Sequence, residues 1–372
     1  MIYNEYGNTG KKVSAIGMGG MRFENPDDVD ACATLVKTAH EKGINYFDTA
    51  IGYGKSESLY GVAFKDMLKI RAQKPFYVAT KTMKKTPAEV RQELETSLER
   101  MGLDYVDFYH VWSVMSLDDF RSREKNGVIR EFEKFKAEGL VKHICVSTHM
   151  TGEEIEIMLE EYPFEGALLG YSAMNFAYRD RALEAAARLN RGIVVMNPLG
   201  GGVIPQNPER FKFLKTKEEE TVVEAALRFL MADSRITVSL VGLSNLKQLD
   251  EAISAAEGFE HVPGNIERIR RGLSENLNEL CTNCRYCDSC PLEIPVPKMM
   301  DAYNQFILTG DIKNAVNRLP WHWGINLNDE IISKCVECGL CESKCTQKLP
   351  ICKRLSELQQ AVEDMLAKTT GK

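Results

Sequence analysis

Between residues 13 and 243 the chain repeats one pattern eight times, a short apolar run followed by an amphipathic helical stretch. The runs are VSAIGMG (13–19), NYFDTA (45–50), FYVATK (76–81), VDFYHVW (106–112), KHICVST (142–148), GALLGYS (166–172), GIVVMNPL (192–199) and TVSLVGL (237–243). The intervening stretches carry helix signals. PAEVRQELETSLERMG (87–102) stops on Gly102, and TGEEIEIMLEEY (151–162) opens on a Thr with acids in its first turn. Strands that are apolar throughout, each followed by a helix, require a parallel sheet covered on both faces. Eight such units at this length predict an α/β fold, a closed (β/α)8 TIM barrel, rather than an open doubly wound sheet. The glycines of GMGGMRF (17–23) lack the spacing and the following helix of a dinucleotide-binding fingerprint. The opening MIYNEYGNTGKKV reads as a hairpin turning at Asn-Thr-Gly, a plug for the barrel floor.

Beyond the eighth unit the pattern predicts helices over 245–258 and 265–277, and then the composition changes. Of eleven cysteines, only Cys32 and Cys145 precede residue 281. We place a barrel domain at 1–262 and a mainly α-helical domain at 263–372, with helices in PVPKMMDAYNQFILTG and DIKNAVNRL. The polar N-terminus is no signal peptide, so the expected compartment is the cytoplasm, where clustered thiols favour metal binding over disulfides. A net charge of −6 points away from nucleic acid and anionic membrane surfaces. No apolar run nears the roughly 20 residues that span a bilayer.

In such barrels chemistry sits at the C-terminal ends of the strands. Asp48 ends the second run, Tyr53 follows it, Lys81 ends the third, and His110 lies near the end of the fourth. Each alone is explained as packing or pairing; together they suit one reaction. A carbonyl being reduced gathers negative charge on oxygen and needs a proton. Tyr is a weak acid, with an ordinary pKa of about 10, and a Lys ammonium held by an Asp would ease proton release. His110 is expected to orient and polarise the carbonyl.

FDTAIGYG, ATK and DFYHVW resemble the aldo-keto reductase family, and the resemblance runs over about residues 1–260. It implies a catalytic set of Asp48, Tyr53, Lys81 and His110, a small carbonyl or alcohol substrate, and an extended NAD(P)(H) bound without a dinucleotide-binding domain. It also implies nucleotide contacts at Gly19, Met21, Ser147, Met196, Pro198, Leu199, Gly200, Gly242, Ser244 and Gln248. There the chain departs from the family. Ser147 is followed by Thr148 and His149, Met196 stands where an aromatic normally stacks on the nicotinamide, and Ser244 replaces a basic residue near the 2′-phosphate. NADH and NADPH both remain open, and a flavin is the other candidate. Trp112 and Met21 are expected pocket walls.

The remaining cysteines fall in two runs, Cys281, Cys284, Cys287 and Cys290, then Cys335, Cys338, Cys341 and Cys345. Thiolates every third residue suit iron–sulfur clusters; zinc, which takes paired Cys-x2-Cys knuckles, and redox thiols are the alternatives. The runs resemble a ferredoxin-type domain with two [4Fe-4S] clusters. By that resemblance one cluster takes Cys281, Cys284, Cys287 and Cys345, the other Cys335, Cys338, Cys341 and Cys290. Cys352 is expected to be no ligand. A nicotinamide passes two electrons at once and a cluster passes one. Three functions follow: a carbonyl/alcohol oxidoreductase whose clusters exchange electrons with a ferredoxin-like partner, a reductase with structural clusters, or an electron-transfer subunit whose barrel has altered or lost nicotinamide catalysis.

Overall fold

The computed structural model describes residues 1–174, 176–259, 279–281, 284–328, 331 and 333–369. The chain forms two compact units, one of residues 1–199 and 211–270, the other of 200–210 and 271–372. The expected division at 262/263 and the expected helix over 265–277 lie outside the described residues.

The first unit is a closed barrel of eight parallel strands. They are β3 (Ile16–Gly19), β4 (Tyr46–Asp48), β5 (Tyr77–Thr82), β6 (Val106–Val114), β7 (Val141–Thr148), β8 (Gly166–Gly170), β9 (Gly192–Met196) and β10 (Val238–Gly242), with β10 closing onto β3. All eight come from the eight apolar runs. The first run is the exception in detail, because VSAIGMG divides between two sheets. Its start belongs to a hairpin, β1 (Tyr3–Glu5) paired antiparallel with β2 (Lys12–Ser14). Ser14 makes the break: its N–H donates to Asn45 Oδ1 at 2.7 Å, and its hydroxyl donates to the Ile16 carbonyl at 2.7 Å. Those bonds replace ladder bonds at the step from hairpin to barrel.

The hairpin plugs the barrel. Tyr6, fully buried, packs with Tyr46, Phe108, Cys145 and Val238 inside it. Gly166 and Gly192 admit the ring, since a Cβ on either would lie within 2.3 Å of Tyr6 atoms. The helix signals are also realised. Pro87–Met101 ends on Gly102 at φ 63, where glycine carries no Cβ penalty. Gly152–Glu161 starts from a capping box, in which Thr151 accepts from the Glu154 N–H while the Glu154 carboxylate accepts from the Thr151 N–H.

The second unit is helical in its described residues. Val296–Thr309, Ile312–Trp323 and Ile351–Thr369 pack around Met299, Met300, Val316, Leu319, Leu355 and Leu358. The second of these helices outruns DIKNAVNRL, passing through Pro320 before Gly324 ends it at φ 64. No helix among the described residues is long and apolar enough to cross a membrane.

Candidate active site and cysteine cluster

Strand register sets the polar groups at the barrel mouth. Asp48 is the last residue of β4, and Lys81 on β5 pairs directly with His110 on β6, so both side chains share a face. Lys81 Nζ donates to Asp48 Oδ1 at 2.6 Å and to the Thr49 carbonyl at 2.7 Å. It lies 4.9 Å from the centre of the Tyr53 ring. Tyr53 follows β4 in a turn closed by its N–H to the Ala50 carbonyl, 2.9 Å away. Its ring meets Trp112 edge-on, at 5.4 Å and 89°. Gly52 allows that approach, because a Cβ there would come within 3.2 Å of the indole.

The electrostatics differ from expectation. Desolvation raises Tyr53 far above the ordinary phenol value, the Asp48 carboxylate adds to the rise, and Arg22 opposes it. Tyr53 is therefore a protonated phenol at neutral pH. His110 is pushed down to about 3, first by burial and then by Lys81. Its Nδ1 faces the Thr80 carbonyl at 3.4 Å, and a carbonyl can only accept, so the proton belongs on Nδ1. Nε2 is buried with no hydrogen-bond partner among the described residues and is left as an acceptor. With that tautomer, Nε2 can accept from a substrate hydroxyl.

The residues expected to hold a nucleotide are spread over several strand ends. Ser147 on β7 has a buried hydroxyl without a partner among the described residues, which suits an amide group of a ligand. Thr148 is engaged within the protein, donating to the Val114 carbonyl at 2.8 Å and accepting from the Met150 N–H at 3.1 Å. Gly19 pairs with Asp48 on one side and Gly242 on the other. Met196 and Leu199 are half-buried, Pro198 is buried, and Met21 is 59% exposed. Gly200 belongs to the second unit. The Ser244 N–H donates to Gln248 Oε1 at 2.9 Å, so Gln248 secures the loop between β10 and the helix Leu246–Ala256. Two neighbours escaped the sequence reading. Arg22 covers Gly242, where a Cβ would meet its Cγ at 2.7 Å, and Glu24 accepts from Asn245 Nδ2 at 3.0 Å. Nothing in GMGGMRFE marks either residue as more than loop surface.

In the second unit, Cys281, Cys287 and Cys345 are buried, Cys284, Cys290, Cys335 and Cys341 are half-buried, and Cys338 is exposed. Asn304 grips Cys281 at both backbone groups, each bond 2.7 Å long. Cys284 Sγ lies 3.3 Å from Thr346 Oγ1, and Cys345 Sγ accepts from the Leu349 N–H at 3.4 Å. Cys284, Cys287, Cys341 and Cys345 are near enough to act on one another: Cys287 is pushed up to about 12 by burial, then by Cys284, Cys345 and Cys341. Buried thiols crowded in this way stay protonated unless a cation takes them. Among the described residues no three His, Cys, Asp or Glu side chains converge so as to hold a metal ion. A single zinc needs such convergence, with sulfurs at about 2.3 Å.

Cys352, expected to be no ligand, lies close to the second run. Its thiol is hydrogen-bonded with Cys341 and lies within electrostatic reach of Cys335. No motif spacing announces it, because Cys352 sits beyond the run, on the first turn of Ile351–Thr369.

The pattern of the Aldo/keto reductase family matches residues 15–274, so every cysteine from Cys281 onward lies beyond it. An L-galactose dehydrogenase from Arabidopsis thaliana is 30% identical over 68% of this chain and 88% of its own. A probable aldo-keto reductase from Glycine max is 26% identical over 67% of this chain and 82% of its own. An aldo-keto reductase from Bacillus halodurans, in its holo form, superposes with a TM-score of 0.63 at 22% identity, covering 74% of this chain and 97% of its own. Barrel, family pattern and relatives agree: the chain is an oxidoreductase that belongs to the aldo/keto reductase family.

Proposed function

We propose that the barrel interconverts a carbonyl and an alcohol, with Tyr53 as proton donor and acceptor, and that the second unit carries two [4Fe-4S] clusters serving a ferredoxin-like partner. The observation that carries the first part is the buried Lys81–Asp48 pair beneath the Tyr53 ring. The protonated phenol is ready to give its proton to an oxygen gaining charge. In the reverse direction His110 Nε2 accepts the hydrogen of a substrate hydroxyl and orients it. Trp112 holds the tyrosine ring in place and excludes water from one edge. A bound NAD(P)(H) supplies or takes the hydride. Ser147 suits its amide, Met196 offers a thioether to a ring face, and Gly19, Met21, Pro198, Leu199, Gly242, Ser244 and Gln248 suit the rest of the nucleotide.

Bound clusters pass single electrons. Cys284, Cys287 and Cys345 suit one, on the strength of the crowding around Cys287 and Cys345, with Cys281 joining them by resemblance. Cys335, Cys338, Cys341 and Cys290 suit the other by resemblance. A second reading, an electron-transfer subunit with an altered nucleotide site, is favoured by the engaged Thr148 and by Met196 in place of an aromatic.

Tyr53→Phe tests the barrel chemistry, with NAD(P)H and a panel of carbonyls, and with L-galactose, named in the plant relative, as the first alcohol. Turnover should fall by about 10²-fold or more; full turnover in the variant sinks the mechanism. Iron, sulfide, flavin and nucleotide content of anaerobically purified protein tests the cofactors. Protein free of iron and sulfide overturns the cluster reading. Persistence of NAD(P)H-linked turnover in Cys335→Ala would show that this chemistry needs no relay.

A further inference from the structure

The loop after β3 carries a cation over the barrel mouth, and the proton chemistry of Tyr53 leaves that cation with nothing to bind. Residues 20–24 bridge the ends of β4 and β10, the two neighbours of β3, and contacts on both sides pin them. The Gly20 N–H donates to the Asp48 carbonyl at 2.8 Å, and the Glu24 N–H donates to the Ser244 carbonyl at 3.3 Å. Between them the Phe23 ring meets Tyr60 edge-on, with centres 5.9 Å apart. Gly20 is required at the turn, because a Cβ there would lie 2.1 Å from Ser56 Oγ.

Arg22 is exposed at the centre of this bridge. Its stem lies against Gly242, where a Cβ would meet Arg22 Cγ at 2.7 Å. Gly242 and Asp48 flank Gly19 on adjacent strands, which sets those two strand ends about 10 Å apart, two strand spacings. The Arg22 charge also reaches the Tyr53 phenol, where it opposes burial and Asp48. Among the described residues no carboxylate forms an ion pair with Arg22. The nearby acids are engaged elsewhere, Asp48 with Lys81 Nζ at 2.6 Å and Glu24 with Asn245 Nδ2 at 3.0 Å.

An exposed guanidinium held beside a proton donor, and not neutralised by the protein, calls for an anion on the ligand. Its planar fork takes a carboxylate through parallel N–H bonds. Its reach to the Tyr53 ring, which the reacting carbonyl must approach, favours an anion on the carbonyl compound over the pyrophosphate of a dinucleotide.

We propose that Arg22 anchors the carboxylate of the substrate, so that the barrel acts on short aldehyde or keto acids and the hydroxy acids they yield; this rests on the carbonyl/alcohol chemistry proposed above. The carboxylate makes and breaks no covalent bond. NAD(P)H gives its hydride to the carbonyl carbon, Tyr53 gives its proton to the carbonyl oxygen, and Arg22 holds the far end of the molecule.

Matched pairs of acid and neutral carbonyls test this with full-length protein and NAD(P)H at pH 7: glyoxylate with glycolaldehyde, succinic semialdehyde with butanal, and D-glucuronate with D-glucose. Wild type should favour the acid in at least one pair. In Arg22→Met the acid-to-neutral ratio of kcat/KM for that pair should fall about 10- to 100-fold, the loss of a charge-assisted bond. The loss should lie in KM, because the protonated Tyr53 still delivers its proton at saturation. Arg22→Lys keeps the charge without the fork and should regain part of the ratio. Calorimetric titration of the product acids, glycolate, γ-hydroxybutyrate and L-gulonate, needs no turnover and should show the same weakening in Arg22→Met. A neutral preference in every pair, or an unchanged ratio, overturns the proposal. Equal loss for acid and neutral substrates with weaker NAD(P)H binding, read by fluorescence titration, assigns Arg22 to the pyrophosphate and also overturns it. Wild type that reduces no member of any pair defeats the barrel chemistry instead. Calorimetry then decides the carboxylate site by itself, and no binding of any product acid overturns that too.

Discussion

Lys81 Nζ lies 2.6 Å from Asp48 Oδ1 with both side chains closed off from solvent, 0% and 2% exposed. Removing one partner of such a pair leaves the other charged and buried, at a cost of about 3–5 kcal/mol. Lys81→Met should therefore lose both activity and stability, read by turnover and by denaturant midpoint. Lys81→Met/Asp48→Leu should regain most of the stability and none of the activity. Equal stability of the single and double variants would mean that the pair is not coupled as the geometry indicates.

Tyr53 is raised by desolvation and by Asp48, and lowered by Arg22. Alcohol oxidation needs the phenolate to accept a proton, so it should be limited by this raised value and speed up with pH. Arg22→Met removes the opposing charge and should move the alkaline limb of the oxidation profile further up. Up to about tenfold slower oxidation at fixed pH is expected, corresponding to one pKa unit. Carbonyl reduction near pH 7 uses the protonated phenol and should change little. An unshifted oxidation profile would rule out Arg22 as an influence on the acid.

His110 and His149 are each pushed down to about 3, chiefly by burial, with Lys81 and Arg179 respectively as the next cause. The unfolded state takes up these protons near pH 6.5 and the folded state does not, so it is the unfolded chain that binds more protons in between. Stability then rises with pH across that window and is lost as pH falls from about 6.5 towards 3. Each fully titrating histidine contributes a slope of about 1.4 kcal/mol per pH unit. His149→Gln should flatten the acid limb of a stability–pH curve between pH 6 and 5. Below that, Glu165, held down to about 2, adds its own loss.

Glu24 stands beside Asn245 at the start of the helix that follows β10. If the adenosine end lies there, as the family resemblance implies, a carboxylate accepts from ribose hydroxyls and repels a 2′-phosphate. NADH should then bind more tightly than NADPH, and Glu24→Gln should narrow the ratio about tenfold by fluorescence titration. Tighter NADPH binding in the wild type refutes it.

Arg354 is 3% exposed, stacks 4.8 Å from the centre of the Tyr303 ring, donates to the Glu279 carbonyl at 2.8 Å, and sits beside Cys281 and Cys345. Among the described residues no carboxylate pairs with it at contact distance. A buried cation next to thiolates stabilises the more negative, reduced cluster. On the proposed cluster reading, Arg354→Met should lower the reduction potential of one cluster by at least about 59 mV, a tenfold change for a one-electron couple. Redox titration followed by EPR reads this, and an unchanged potential contradicts it.

The barrel was legible because strand and helix are local decisions. Apolar runs bounded by caps such as Thr151 and stops such as Gly102 declare themselves through backbone preference and side-chain spacing, and eight of them leave few ways to close a sheet. The order Asp48, Tyr53, Lys81, His110 was legible for a related reason, since each follows or ends a strand whose position the period determines. What the sequence could not contain is the sign of the electrostatics. Burial and the Asp48 carboxylate raise the Tyr53 phenol while Arg22 opposes them, and the histidine tautomer depended on which carbonyl lay behind Nδ1. Both follow from distances between strands that are remote along the chain.

The cysteine runs show the same division. Three-residue spacing alone was enough to argue for clustered thiols, because a tight loop fixes the distance between near neighbours. Cys352 and Arg354 were invisible by that rule, as their meaning comes from a helix folded back onto the runs. The chain by itself determined which elements form and which chemical groups they carry. Only the tertiary structure decided which groups touch, and contact across long sequence separation is what sets charge, protonation and ligand choice.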